Sequence, residues 1–225
     1  MTAAPFVPEV RSLGALRRAA ATCRGCPLHR DATQTVFGAG PAHARVLFVG
    51  EQPGNEEDLA GAPFVGPAGR ELDRGLAQAG IDRAAVYVTN AVKHFKWQRR
   101  GKRRIHEKPS SRETAACRPW LDAEIEAVKP TAIVCLGATA AQSLLGRSVR
   151  VTKLRGERID SPLAPVVMAT VHPSSILRAR TDADRARERE AFHADLARLA
   201  GHLAQAKREG GRLYKRPRPG HARAS

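Results

Sequence analysis

No stretch of this 225-residue sequence approaches the ~18 uninterrupted apolar residues that a membrane-spanning helix needs, so none is expected. Its beginning, MTAAPFVPEVRSLGALRRAA, also lacks the basic start and apolar run of a secretory signal. The expected location is therefore the cytoplasm. Cysteine is scarce, at four residues, and in that compartment the four are not read as two disulfides. No internal repeat is present, which excludes solenoid and propeller arrays. Acidic residues are the remaining deficit. With 22 of them against 38 lysines and arginines the formal charge is +16, which favours a polyanionic partner.

What is present reads as strands alternating with helices. Short apolar runs at Arg45–Val49, Val86–Asn90 and Thr131–Gly137, and a fourth ending at His172, predict buried strands. Between them, Leu72, Leu76 and Ala79 recur at helical spacing before Gly80. Ser110 and Glu113 form an S-x-x-E cap for a helix carrying Trp120, Leu121, Ile125 and Val128, with Pro119 expected to kink it or mark its first turn. A short helix to Leu145 and a last one over 182–207, striped by Phe192, Leu196, Leu199 and Leu203, complete the pattern. Such alternation implies a three-layer α/β/α domain around a mainly parallel four-stranded sheet. It would span residues 1–206, followed by a basic tail, 207–225, with too little apolar content to fold. Sheets of this kind bind ligands at the carboxyl ends of their strands, where Glu51, Asn90 and His172 all fall.

The cysteines include one C-x-x-C pair, Cys23 and Cys26. Cys117 and Cys135 are spaced further apart, which weighs against a zinc ribbon. Four thiols suit either zinc or an iron–sulfur cluster, and their chemistry leaves the two open. Between the second strand and the capped helix lies a long loop, FKWQRRGKRRIHEKPSS, in which Arg99, Arg100, Lys102, Arg103 and Arg104 crowd together before His106. A phosphate-gripping loop needs the cations but has no need of an imidazole.

Three strand-end motifs carry a resemblance: VGEQPGNEEDLAGAPFVGPAG, TNAVKH and HPSSILR. Together, over roughly Cys23 to Leu199, the chain resembles the family 4 uracil-DNA glycosylases. GEQPG (Gly50 to Gly54) and KRRIH (Lys102 to His106) bring it nearer to that family's UdgX-type subgroup. The resemblance implies a [4Fe–4S] cluster on Cys23, Cys26, Cys117 and Cys135. It implies a uracil pocket formed at Gly50, with Phe64 stacking on the base, Asn90 reading its edge and Ser174 near a DNA phosphate. His172 would stabilise the departing base. His106 would then attack the sugar, with Glu51 accepting its proton, Arg104 holding Glu51 and the loop in position, and Gln52 filling the space that water needs. The expected partner is uracil-containing DNA, preferably single-stranded, and the expected state a monomer that ends covalently joined to it. Two alternatives are a turnover glycosylase that leaves a free abasic site and a non-catalytic iron–sulfur module that binds DNA.

Overall fold

The structure, a computed structural model, describes residues 1–213. In chain order the strands are β1 (Val46–Gly50), β2 (Val86–Asn90), β3 (Trp97–Arg100), β4 (Arg103–His106), β5 (Ala132–Leu136), β6 (Arg158–Ile159) and β7 (Val166–Thr170). The helices are α1 (Leu13–Ala20), α2 (Asn55–Ala60), α3 (Pro67–Gln78), α4 (Ser111–Val128), α5 (Ala138–Leu145), α6 (Val151–Leu154), α7 (Pro173–Leu177) and α8 (Asp182–Leu213). The four expected strands lie parallel in the order β2-β1-β5-β7, and the two-residue β6 adds an antiparallel edge. Among the described residues no helix is long and apolar enough to cross a membrane.

Alternation along the strands sorts the core into two layers. Val46, Phe48, Val134 and Met168 meet Leu72, Leu76, Phe192, Leu196 and Leu199 from α3 and α8. Leu47, Val49, Ile133, Cys135 and Val167 turn the other way, towards Leu121, Ala140, Ala141 and Leu144 of α4 and α5. A third cluster, off the sheet, packs α1 and the segment after it against the first half of α4, around Trp120, Phe37, Cys23, Cys26 and Cys117.

The α4 capping box is present, with Ser110 Oγ accepting from Glu113 N at 3.2 Å and Glu113 Oε2 accepting from Ser110 N at 2.6 Å. Pro119 is not in the first turn. It stands inside α4, where it gives the Ala115 carbonyl no helical donor. Helix α8 continues through Leu213, past the expected end at Lys207, because Lys, Arg and Glu at 207–209 are themselves helix formers. The rest of the predicted tail, 214–225, lies outside the described residues.

The basic loop is ordered differently from the reading of the sequence. Strands β3 and β4 form an antiparallel hairpin with Trp97 opposite His106 and Arg100 opposite Arg103, turning at Gly101 and Lys102. Gly101 takes a positive φ of 57°, which a two-residue hairpin turn requires and glycine accepts without strain.

Candidate active site at the strand ends

Parallel strands ending together leave a crevice where the strand order reverses, here beside β1 and β5. A cavity of about 390 Å³ occupies it, with Glu51, Phe64, Asn90, His106 and His172 in its wall. The loops after β1 and β2 are tied to each other by backbone bonds, Ala91 N to Gly50 O at 2.9 Å and Val92 N to Glu51 O at 3.0 Å. At Gly50 the missing side chain matters. A Cβ there would meet the Asn90 carboxamide and lie 2.8 Å from the Phe64 ring. Phe64 itself is buried with a positive φ of 58°, a conformation that costs a non-glycine residue about 1–3 kcal/mol. Its ring lies nearly parallel to that of His172, 6.1 Å between centroids.

Asn90 is 2% exposed, and among the described residues its carboxamide has no hydrogen-bonding partner. Its donors and its acceptor are therefore turned to the cavity. The backbone behind it is rigidly held. Lys93 Nζ donates to Asn90 O at 2.7 Å, to Thr89 Oγ1 at 2.6 Å and to Glu124 Oε2 at 2.5 Å. Glu124 accepts in turn from Tyr87, Thr89 and Gly38 N, so this buried network leaves no charge unpaired.

His172 caps α7, and its Nδ1 accepts from Ser174 N at 3.2 Å. A backbone N–H can only donate, so the neutral ring must carry its hydrogen on Nε2. The Ser174 hydroxyl donates to the same Nδ1 at 2.8 Å and accepts from Arg178 Nη1 at 2.9 Å. Ser174 thus orients His172, and Arg178 is the nearby cation in the cavity wall. Burial strips water from the His172 imidazole and pushes its pKa down to about 4, against the pull of Glu51. The ring is a neutral donor at ordinary pH.

Glu51 joins this site to the hairpin. His106 Nε2 stands 3.3 Å from Glu51 Oε1, and the Thr139 hydroxyl at the start of α5 donates to Oε2. Burial alone would raise the Glu51 carboxyl. The bonds from His106 and Thr139 outweigh it and hold the group below the usual carboxylate range.

Two expected roles change. Arg104 does not hold Glu51: its Nη1 pairs with fully buried Asp58 at 2.7 Å and reaches Thr33, while Nε donates to Asn55 at 2.8 Å. The guanidinium lies over the Phe95 and Trp97 rings, 5.6 and 5.4 Å from their centroids. In the hairpin, Arg104 points to α2, whereas His106, two residues on, reaches the cavity. Gln52 does line the cavity, but its amide is committed elsewhere. It accepts from Lys96 N at 3.0 Å and donates to Lys96 O and Glu107 O, closing the two ends of the hairpin.

The cysteines divide. Cys23, Cys26 and Cys117 share the third core cluster, where Trp120 Nε1 donates to Cys23 Sγ at 3.2 Å and Lys93 N to Cys117 Sγ at 3.3 Å. Cys135 faces the α4–α5 layer on β5, among aliphatic side chains. It shares no core cluster with the other three, so the structure groups three of the four cysteines and not the fourth. Among the described residues no group of three or more His, Cys, Asp or Glu side chains is placed to hold a metal ion. His94, which the sequence reading passed over, is buried just after Lys93. The Thr35 hydroxyl donates to Ala20 O, so at 2.9 Å it accepts from His94 Nε2 and leaves Nδ1 with a free lone pair. The signal for His94 was its place in TNAVKH, and those for Asp58 and Thr139 were too weak to find: a carboxylate inside an acidic run and a threonine among alanines.

The model of the "Uracil DNA glycosylase superfamily" matches residues 37–197. A protein of Thermotoga maritima named type-4 uracil-DNA glycosylase is 44% identical over 161 residues, covering 71% of this chain and 80% of the relative. Proteins of the same name from Archaeoglobus fulgidus and Pyrobaculum aerophilum are 36% and 35% identical, over 75% and 69% of this chain and 84% and 80% of their own lengths. This chain belongs to the uracil DNA glycosylase superfamily, within its type-4 group.

Proposed function

We propose that this protein, through its domain of residues 1–206, excises uracil from DNA, preferably single-stranded, and is left joined to the abasic sugar through His106, as in UdgX-type proteins. The observation that carries the reading is the placement of His106 against Glu51 in the wall of the same cavity as Asn90 and His172.

A flipped uracil stacks on Phe64. The unpartnered Asn90 carboxamide accepts from its N3–H and donates to O4, a pattern cytosine cannot match without burying unpaired polar groups. The C1′–N1 bond then breaks, and its electron pair leaves with the base. His172 Nε2–H donates to O2 as the negative charge develops, and stays neutral because burial keeps its pKa near 4. The sugar becomes cationic at C1′. The His106 nitrogen that carries no hydrogen supplies the electron pair of the new C1′–N bond, and the other nitrogen passes its proton to Glu51. The product is a neutral N-alkyl imidazole and a poor leaving group, so each molecule reacts once. Lys102 and Arg103, exposed at the hairpin tip, meet phosphates.

The donor set for an iron–sulfur cluster is then Cys23, Cys26 and Cys117 with His94 in the fourth place. The two N–H···S bonds and the Thr35–His94 bond support it, since such outer contacts orient ligands. A cluster's ligands also stand further apart than those around one ion. The cluster's part is to tie α4 to the segments carrying Cys23 and His94. No step of the reaction needs it.

Mixing with uracil-containing single-stranded DNA should give a heat- and detergent-stable adduct on a denaturing gel, with mass spectrometry placing the sugar on His106. His106→Ser should lose the adduct and still release uracil, since His172 acts without it. An adduct undiminished in that variant, or a parent protein that turns over many uracils and keeps its DNA free, would refute the covalent reading. The second result would make the chain a turnover glycosylase.

A further inference from the structure

The crevice does not end at Glu51. Beyond that carboxylate lies a second cavity, of about 480 Å³, between the loop after β4, the first turns of α4 and the outer side of α5. Thr139 links the two, lining the second cavity while its hydroxyl donates to Glu51 in the wall of the first.

Its lining is cationic, with Lys108, Arg118 and Arg147, and contains no acidic and no aromatic side chain. Arg118 is already engaged, by Asp122 at 2.6 Å and by the Ser143 carbonyl. Lys108 and Arg147 are exposed, and among the described residues neither has an acidic partner. The rest of the lining is small or polar, Pro109, Ala115, Gln142 and the serines and threonines between them, with no ring on which a base could stack. Free cations in such a lining suit a phosphodiester rather than a nucleobase.

We infer that this cavity seats the backbone phosphates of the nucleotides flanking the uracil on one side, gripped by Lys108 and Arg147. The inference rests on the reading of the first cavity as a uracil pocket. A free anion would gain little here, because exposed ion pairs in water are weak and screened by salt. A phosphate on a strand already anchored by its uracil meets the same cations at high effective concentration. Lys108 lies two residues after His106, so the grip also steadies the sugar that His106 must reach.

The test is the double variant K108Q/R147Q, whose two positions are exposed and make no described contact on which folding depends. Uracil release would be timed, at subsaturating protein and ~0.1 M salt, on single strands with the uracil central, at the 5′ end or at the 3′ end. Expected is slowing on the order of tenfold on the central substrate and on one end substrate, and none on the other, whose missing flank leaves the cavity empty in both proteins. The slope of log affinity against log salt for uracil-free single strands should also fall by about 1.4, the share of two neutralised phosphates. Equal slowing on all three substrates, no slowing on any, or binding of a deoxynucleoside monophosphate that the variant loses without flank dependence would overturn the site. If the parent released no uracil at all, the glycosylase reading would fail, while the salt slope on uracil-free strands would still judge the phosphate grip.

Discussion

His172 shows how one residue's surroundings set its chemistry. The Ser174 amide fixes its tautomer, and burial holds its pKa near 4, against 6.5 in an exposed histidine. That shift has a stability consequence with a definite sign. Between pH 6.5 and 4 the unfolded chain binds a proton at this ring that the folded protein refuses, so stability falls as pH falls through that window. His172→Gln removes the linkage. The variant's melting temperature relative to the parent should therefore rise on going from about pH 7 to about pH 5, while its uracil excision is strongly reduced at both. A difference in melting temperature that stays constant with pH would show that the ring is not held neutral.

At the scale of elements, the β3–β4 hairpin is the part that, on the proposed reading, would turn a glycosylase site into a trapping one. None of its residues is buried, so its position depends on two outside anchors. Arg104 reaches buried Asp58 on α2, and Gln52 closes the hairpin's base through Lys96 and Glu107. Asp58→Asn keeps the shape and one acceptor but removes the charge that Arg104 answers. Because an error of about 1 Å in a reacting group costs large factors in rate, adduct formation should slow roughly tenfold or more. Uracil release should change far less, since Asn90 and His172 lie on other loops. Gel-based adduct kinetics beside a uracil-release assay would separate the two, and faster tryptic cleavage at Arg99–Arg103 would report the loosened hairpin. Equal loss of both activities would show that Asp58 supports the whole site.

Across the molecule, the fully buried Lys93–Glu124 pair stands between the strand-end cavity and the third core cluster. Lys93 holds the Asn90 carbonyl through its ammonium and the Cys117 sulfur through its backbone N–H. Changes at the cysteine cluster are thereby one residue's length from Asn90, the proposed reader of uracil. The division of the cysteines makes a clear prediction. Cys135→Ala removes one core sulfur, costs roughly 1 kcal/mol of stability, and should leave the brown colour and iron content unchanged. Cys117→Ala and His94→Ala should each lose iron and visible absorbance, as iron analysis and spectra of anaerobic preparations would show. Loss of iron in the Cys135 variant with retention in the His94 variant would restore the four-cysteine set.

The layered parallel sheet, and the meeting of Glu51, Asn90 and His172 at its carboxyl edge, were determined by sequence alone. Apolar periodicity, turn residues and caps are local properties, and parallel strands ending at one edge bring those three positions together automatically. The tertiary structure alone decided which partners the side chains take. Arg104 and Gln52 found Asp58 and the hairpin ends because two elements distant in sequence pack side by side. Cys135 fell in a different core cluster from the other three thiols because packing directs side chains that composition cannot tell apart. The hairpin hid in the sequence for a related reason: its strands are held by backbone bonds and outside anchors, so no apolar face of their own marks them.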